Sequence, residues 1–84
     1  MTITRYNEVK DAHPGIIIMV RVGDFYESYH EDAETVAQVC EITLTGRSGE
    51  NGRIPMAGCP YHSIEKYLAK LLCAGLKTAL CDEL

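Results

Sequence analysis

Phe25 is the only phenylalanine of the chain, and it stands two residues ahead of a carboxylate in the stretch Gly23-Asp24-Phe25-Tyr26-Glu27. On an extended backbone, side chains two apart share a face. Phe25 and Glu27 therefore project together, an apolar wedge beside a hydrogen-bond acceptor. If that face is exposed, the pairing fits a binding wedge. The competing reading puts Phe25 in the core and leaves Glu27 as an ordinary surface acid, the default for a lone Phe in a strand. Against it, Phe25 shares its face with Glu27 and not with another apolar residue, and a buried Glu27 would need a partner.

The other reactive residue types form no constellation. His13, His30 and His62 share no metal-ligand spacing. No nucleophile stands at a useful distance from His62, and Ser63 beside it reads as a helix cap. Gly46, Gly49 and Gly52 are not followed by Gly-Lys-Ser/Thr, so they make neither a P-loop nor a dinucleotide fingerprint. Arg47 and Arg53 share that loop with only Glu50 opposing them, a local basic spot able to meet phosphate. Cys40, Cys59, Cys73 and Cys81 contain no C-x-x-C pair, which leaves a zinc ribbon or redox motif unsupported. Cys40 and Cys73 fall on apolar faces as small core residues, and Cys59, in a loop, is the candidate reactive thiol. No enzyme, metal or cofactor is expected.

Eighty-four residues at 46% hydrophobic and 24% charged make one small globular domain, without low-complexity sequence. No apolar run approaches the ~20 residues of a membrane helix, and the N-terminus has neither the cationic nor the apolar region of a signal peptide. A cytoplasmic protein is expected, with Met1 as its native start. The net charge of −4 argues against a general nucleic-acid binder. Glu31, Asp32, Glu34 and Glu41 should form a solvated helix face.

These side chains need elements to position them. Residues 4–12 predict an amphipathic helix, with Thr4 as N-cap and Tyr6, Val9 and Ala12 as its apolar stripe before Pro14. Ile16 to Val20 is a β-branched run that predicts a buried strand over 15–22, and Gly23-Asp24 bends the chain into a second extended piece over 25–29. Ala33, Val36, Ala37 and Cys40 predict a helix from Glu31, with acids in its first turn. Ile42-Thr43-Leu44-Thr45 alternates as a short strand, residues 46–52 read as a mobile turn, and 54–60 as an apolar loop or short strand. Ser63 should cap a helix carrying Ile64, Tyr67, Leu68, Leu71 and Leu72, ended by Gly75. A final strand follows at Thr78 to Cys81. The order α-β-β-α-β-β-α-β predicts an α+β domain, a small mixed sheet with about three helices packed against it.

Five segments together resemble the N-terminal mismatch-recognition domain of the MutS family. They are Arg21-x-Gly23-Asp24-Phe25-Tyr26-Glu27, Glu31-Asp32-Ala33, Ile42-Thr43-Leu44-Thr45-x-Arg47, Ile54-Pro55-Met56-Ala57-Gly58-x-Pro60-Tyr61-His62 and Tyr67-Leu68-Ala69-Lys70-Leu71. The likeness covers nearly the whole chain and implies a mixed α/β fold. It implies non-catalytic binding of mismatched or distorted duplex DNA in DNA mismatch repair. In the family's Phe-x-Glu motif the aromatic enters the minor groove and the carboxylate accepts a hydrogen bond from the displaced base; these residues match Phe25 and Glu27. Arg47 and the loop Ile54 to Gly58 would position the site, with Pro55 and Met56 against sugars and Gly58 in the same block. Insertion unstacks a base step at a cost of ~a few kcal/mol, least at a mispaired step that already bends easily. Gly46 departs from the lysine common at that position, which removes one phosphate contact. The connector, clamp and ATPase domains of the family are absent from residues 1–84, so DNA binding by this domain alone should be weak. Other mismatch-repair proteins or the missing domains are implied partners, and a nucleoid association if the source is bacterial or viral. The alternative is a stand-alone protein-interaction module that docks on a repair protein or competes with it.

Overall fold

The computed structural model describes residues 2–49 and 52–82. Met1 and Glu50 lie outside the described residues. In chain order the elements are α1 (Thr2–Ala12), β1 (Ile17–Val22), β2 (Phe25–Tyr29), α2 (His30–Cys40), β3 (Thr45–Gly49), β4 (Gly52–Pro60), a 3-10 turn (Tyr61–Ser63), α3 (Ile64–Cys73) and β5 (Thr78–Cys81). The strands form one five-stranded sheet in the order β3-β4-β2-β1-β5. Only β1 and β5 run parallel; the other pairs are antiparallel. The fold is α+β with a mixed sheet, in the element order that the sequence pattern predicts.

The apolar run is the centre of the molecule because both faces of β1 are covered. Ile17, Ile18, Met19 and Val20 are all buried. Alternation sends Ile18 and Val20 to one face, where they pack with Tyr6 of α1 and Tyr29 of β2. Ile17 and Met19 go to the other, where Ala33, Val36, Ala37 and Cys40 of α2 and Leu71 of α3 meet Tyr26, Ala57 and Cys59. The sheet is thus sandwiched, α1 on one side and α2 with α3 on the other. Among the described residues no helix is long and apolar enough to cross a membrane.

Where β2 ends and α2 begins, a polar cluster closes the seam between the layers. Asp32 accepts hydrogen bonds from the Tyr6 hydroxyl (2.5 Å), the Ile18 backbone N–H (3.1 Å) and Lys10 Nζ (3.0 Å). Lys10 also donates to the Ile16 carbonyl at 2.7 Å, and the buried Ser28 hydroxyl donates to the Ile18 carbonyl at 2.7 Å. A carboxylate buried this deeply survives because each lobe is satisfied and a cation lies beside it. Burial, with the Asp32 carboxylate beside it, pushes the Tyr6 phenol well above its ordinary range, so it stays a neutral donor.

Several expectations are corrected. Asp32 does not belong to the solvated acidic face of α2: Glu31 and Glu34 are exposed, but Asp32 turns into the seam. Helix α1 begins at Thr2, so Thr4 lies within its first turn; Ala12 is exposed, and Ile3 joins Tyr6 and Val9 on the packed stripe. Residues 42–44 are not a strand. Glu41 adopts a left-handed conformation and the Ile42 N–H bonds back to Ala37, so the chain regains extended form only at Thr45, where Met56 of β4 offers a partner. The glycine turn is a hairpin instead: Gly46 and Gly49 lie within β3, and β4 runs nine residues through both prolines. Ser63 occupies the N-cap position of α3 without a side-chain capping bond: as the last residue of the 3-10 turn it has φ −103 and ψ 6, not the extended backbone typical of a capping residue. Cys73 is exposed: it stands two residues beyond the buried Leu71, on the far side of the helix. Cys59 is buried in β4 opposite Tyr26, and burial pushes its thiol up to about 11, so it is no reactive thiol.

Candidate nucleic-acid interface

The β1–β2 hairpin turns in two residues. Gly23 takes φ +59 at the first of them, a conformation that glycine adopts without strain, and Val22 pairs directly with Phe25. This tight reversal places Phe25 at the very start of β2, at one end of the sheet face that α1 covers elsewhere. With no helix above it, Phe25 keeps 47% of its surface exposed. Glu27 follows on the same face, half-buried, with Val20 of β1 on one side and Gly58 of β4 on the other. Next along the strand, Tyr29 is fully buried beneath α1.

Phe25, Glu27, Thr43, Thr45, Met56 and Gly58 line an open concavity of about 420 Å³. Gly58 keeps it open beside Glu27. A Cβ there would come within 3.2 Å of both the Glu27 Cγ and the Tyr26 carbonyl oxygen. Met56 stands between Tyr29 and Thr45 across the strands. The Thr45 hydroxyl is tied to the Met56 carbonyl at 3.1 Å.

Glu27 has a partner within the sheet. The Tyr29 hydroxyl donates to Glu27 Oε1, and Arg47 Nη1 donates to the Tyr29 oxygen at 3.1 Å. Arg47 is thereby connected through a phenol to the carboxylate that shares a face with Phe25. Burial, and then the neighbouring Glu27 carboxylate, push the Tyr29 phenol up beyond its usual range, with Arg47 opposing them. Tyr29 is therefore a neutral donor at any physiological pH.

Of the sequence-derived site residues, Phe25, Glu27, Met56 and Gly58 come together around the concavity, and Arg47 joins through Tyr29. Pro55 does not join them. It pairs with Gly46 and alternates to the opposite face from Met56. Arg53 also lies away from Phe25: it folds across Gly46 and donates to that carbonyl at 2.7 Å, in space that a Cβ on Gly46 would fill. Thr43, Thr45 and Tyr29 were not singled out by sequence reasoning. The period-two rule that pairs Phe25 with Glu27 extends unchanged to Tyr29, and it likewise links Thr45 to Arg47.

Fold and surface together define an α+β domain whose distinguishing feature is one uncovered end of a sheet face, bearing an aromatic ring and a carboxylate beside a glycine. Residues 2–84 match MutS domain I, and the chain belongs to that family. Curated relatives named DNA mismatch repair protein MutS include that of Symbiobacterium thermophilum, 48% identical over 82 residues. The proteins of Methanosarcina barkeri and Desulfitobacterium hafniense are 51% and 50% identical over 84 and 80 residues. These alignments cover 94–95% of this chain and 9% of each relative, so the chain spans about a tenth of the length of the proteins it matches.

Proposed function

We propose that this domain binds mismatched or otherwise distorted duplex DNA in DNA mismatch repair, without catalysing a reaction itself. Phe25 enters from the minor groove and Glu27 accepts a hydrogen bond from the displaced base. The observation that carries the reading is the half-exposed Phe25 ring on one face with Glu27, next to a strand position with no side chain. Met56 and the two threonines offer apolar and hydroxyl contacts at sugar depth, and Arg47 retains N–H groups for phosphate. Its partners are then mismatched duplex DNA and other repair proteins or MutS domains, in the cytoplasm, with nucleoid association if the source is bacterial or viral. A net charge of −4 supplies little of the non-specific phosphate attraction that most DNA-binding domains use, so discrimination rests on deformation and binding alone is weak.

The test is fluorescence anisotropy at low salt, comparing a duplex that carries one mismatch or unpaired thymine with its paired twin. Stacking a base on an aromatic ring is worth ~1–3 kcal/mol. Phe25→Ala should therefore weaken binding to the distorted duplex by roughly five- to 150-fold, and Phe25→Ala with Glu27→Ala should abolish the preference. If the wild-type chain binds both duplexes equally, the reading fails, and a protein-interaction module that docks on a repair protein takes its place.

A further inference from the structure

We propose that the Tyr29 hydroxyl is a positioning group for Glu27, joining it to Arg47 so that one carboxylate oxygen is held and the other is presented outward. The inference rests on the reading of Glu27 given above. Its basis is the geometry of three residues on one face of the sheet, Glu27 and Tyr29 on β2 and Arg47 on β3, with β4 between the two strands.

The Tyr29 ring has no exposed surface and stands edge-on to Tyr6, with centroids 5.2 Å apart and planes at 90°. A ring clamped in this way has its hydroxyl fixed in position. A phenol carries one proton and can accept through its oxygen. Arg47 has donors only, so its bond to Tyr29 at 3.1 Å must run from guanidinium to phenol oxygen. The single phenol proton then goes to Glu27 Oε1. The polarity of the relay is thus set by chemistry: Arg47 to Tyr29 to Glu27. The Arg47 guanidinium carbon lies 5.9 Å from the Tyr29 ring centroid, so the same cation also rests against the ring.

Two consequences follow for recognition. With Oε1 occupied, Oε2 has no hydrogen-bond partner among the described residues and is the oxygen left to accept from a base. The orientation of the carboxylate is also settled before DNA arrives, which removes the cost of freezing a flexible Glu side chain on binding. A direct Arg47–Glu27 ion pair would hold the carboxylate too, but would compete with the base for it. The intervening phenol transmits polarisation while leaving the charge available. Tyr29 is therefore a positioning residue and touches no base.

Tyr29→Phe removes the hydroxyl and keeps the ring. The variant should melt within a few degrees of the wild type, bind the paired duplex equally, and lose roughly three- to tenfold of its preference for the mismatched one. In a Glu27→Ala background the same change should have no further effect. Unaltered preference in Tyr29→Phe, where Phe25→Ala with Glu27→Ala abolishes it, overturns the proposal and leaves the proposed function standing. A full effect of Tyr29→Phe in the Glu27→Ala background also overturns it, because the hydroxyl would then act elsewhere. A second readout needs no DNA: the ¹³C resonance of the Tyr29 Cζ at neutral pH, which moves when the phenol proton loses its acceptor. Glu27→Ala should shift it and Phe25→Ala should not. An unshifted resonance in Glu27→Ala defeats the positioning role even if no duplex preference exists at all.

Discussion

Opposite Glu27, the neighbouring strand carries a residue without a side chain, and in the proposed recognition surface this open space counts as much as the residues around it. A methyl group at Gly58 would press on Glu27 Cγ and on the Tyr26 carbonyl at 3.2 Å, tighter than most real contacts. The carbonyl cannot move without disturbing β2, so Glu27 would be the part to give way. Gly58→Ala is thus expected to cut the preference for a mismatched duplex severalfold while changing stability by under ~1 kcal/mol, since the loss of unfolded-chain freedom offsets part of the strain. Binding and thermal melts on the same sample check it; a variant with full preference would show that the space beside Glu27 is not used. The Phe25–Glu27 pair was legible in the sequence because period-two alternation is a property of any strand. Tyr29 was equally within reach of that rule, but a tyrosine in a buried strand reads as core, and only the fold shows its hydroxyl turned toward Glu27. Pro55 misled for a related reason. With two prolines, the stretch 54–60 reads as a loop or a short strand, and only a loop lets neighbours share a side; as a strand it sends Pro55 and Met56 to opposite faces.

Elements were most legible where the apolar period was long. The buried run of β1 and the Ala33, Val36, Ala37, Cys40 stripe of α2 are packed as their patterns require. The junction after α2 was not, because its geometry depends on backbone that no pattern reveals. Glu41 follows the helix at φ +58, a left-handed cap that usually falls to glycine, and its N–H closes on the Ala37 carbonyl. This cap delays the strand from Ile42 to Thr45 and leaves Thr43 free to line the concavity. An exposed glutamate gains nothing visible in that conformation, so Glu41→Gly is expected to stabilise the domain by about 0.5–1 kcal/mol, the strain relieved less the added freedom of the unfolded chain. Urea unfolding at neutral pH measures it. A destabilised variant would mean that the glutamate side chain contributes more than its backbone costs.

At the scale of the whole molecule, neutral acids with displaced titrations are spread through both layers, and they decide how stability depends on pH. Cys59 in the α2–α3 core has its thiol at about 11 against an ordinary 9.0, chiefly through burial and then through Cys40 nearby. Tyr6 and Tyr29 on the α1 side are raised above their ordinary 10.0 by burial first, and next by hydrogen bonds to Asp32 and Glu27. Each of these groups keeps its proton longer in the folded chain than in the unfolded one. Below pH 9 both states hold all three protons, and the groups contribute their full stabilisation. Above it the unfolded chain sheds protons first, so the unfolded state binds fewer of them and stability falls as pH rises. The fall should begin at about pH 9 with Cys59 and with Cys40, whose thiol burial also raises, steepen past about pH 10 as the tyrosines join, and continue through about pH 11. Urea midpoints taken between neutral pH and about pH 10.5 trace this profile, and Cys59→Ala should reduce its early part, leaving the share of Cys40, without touching the later one. A midpoint that holds constant to about pH 10.5 would mean that the tyrosines ionise as freely in the fold as in the unfolded chain. The desolvation of the two phenols would then contribute nothing to the alkaline loss, while at neutral pH Tyr29 would still carry its proton and donate it to Glu27.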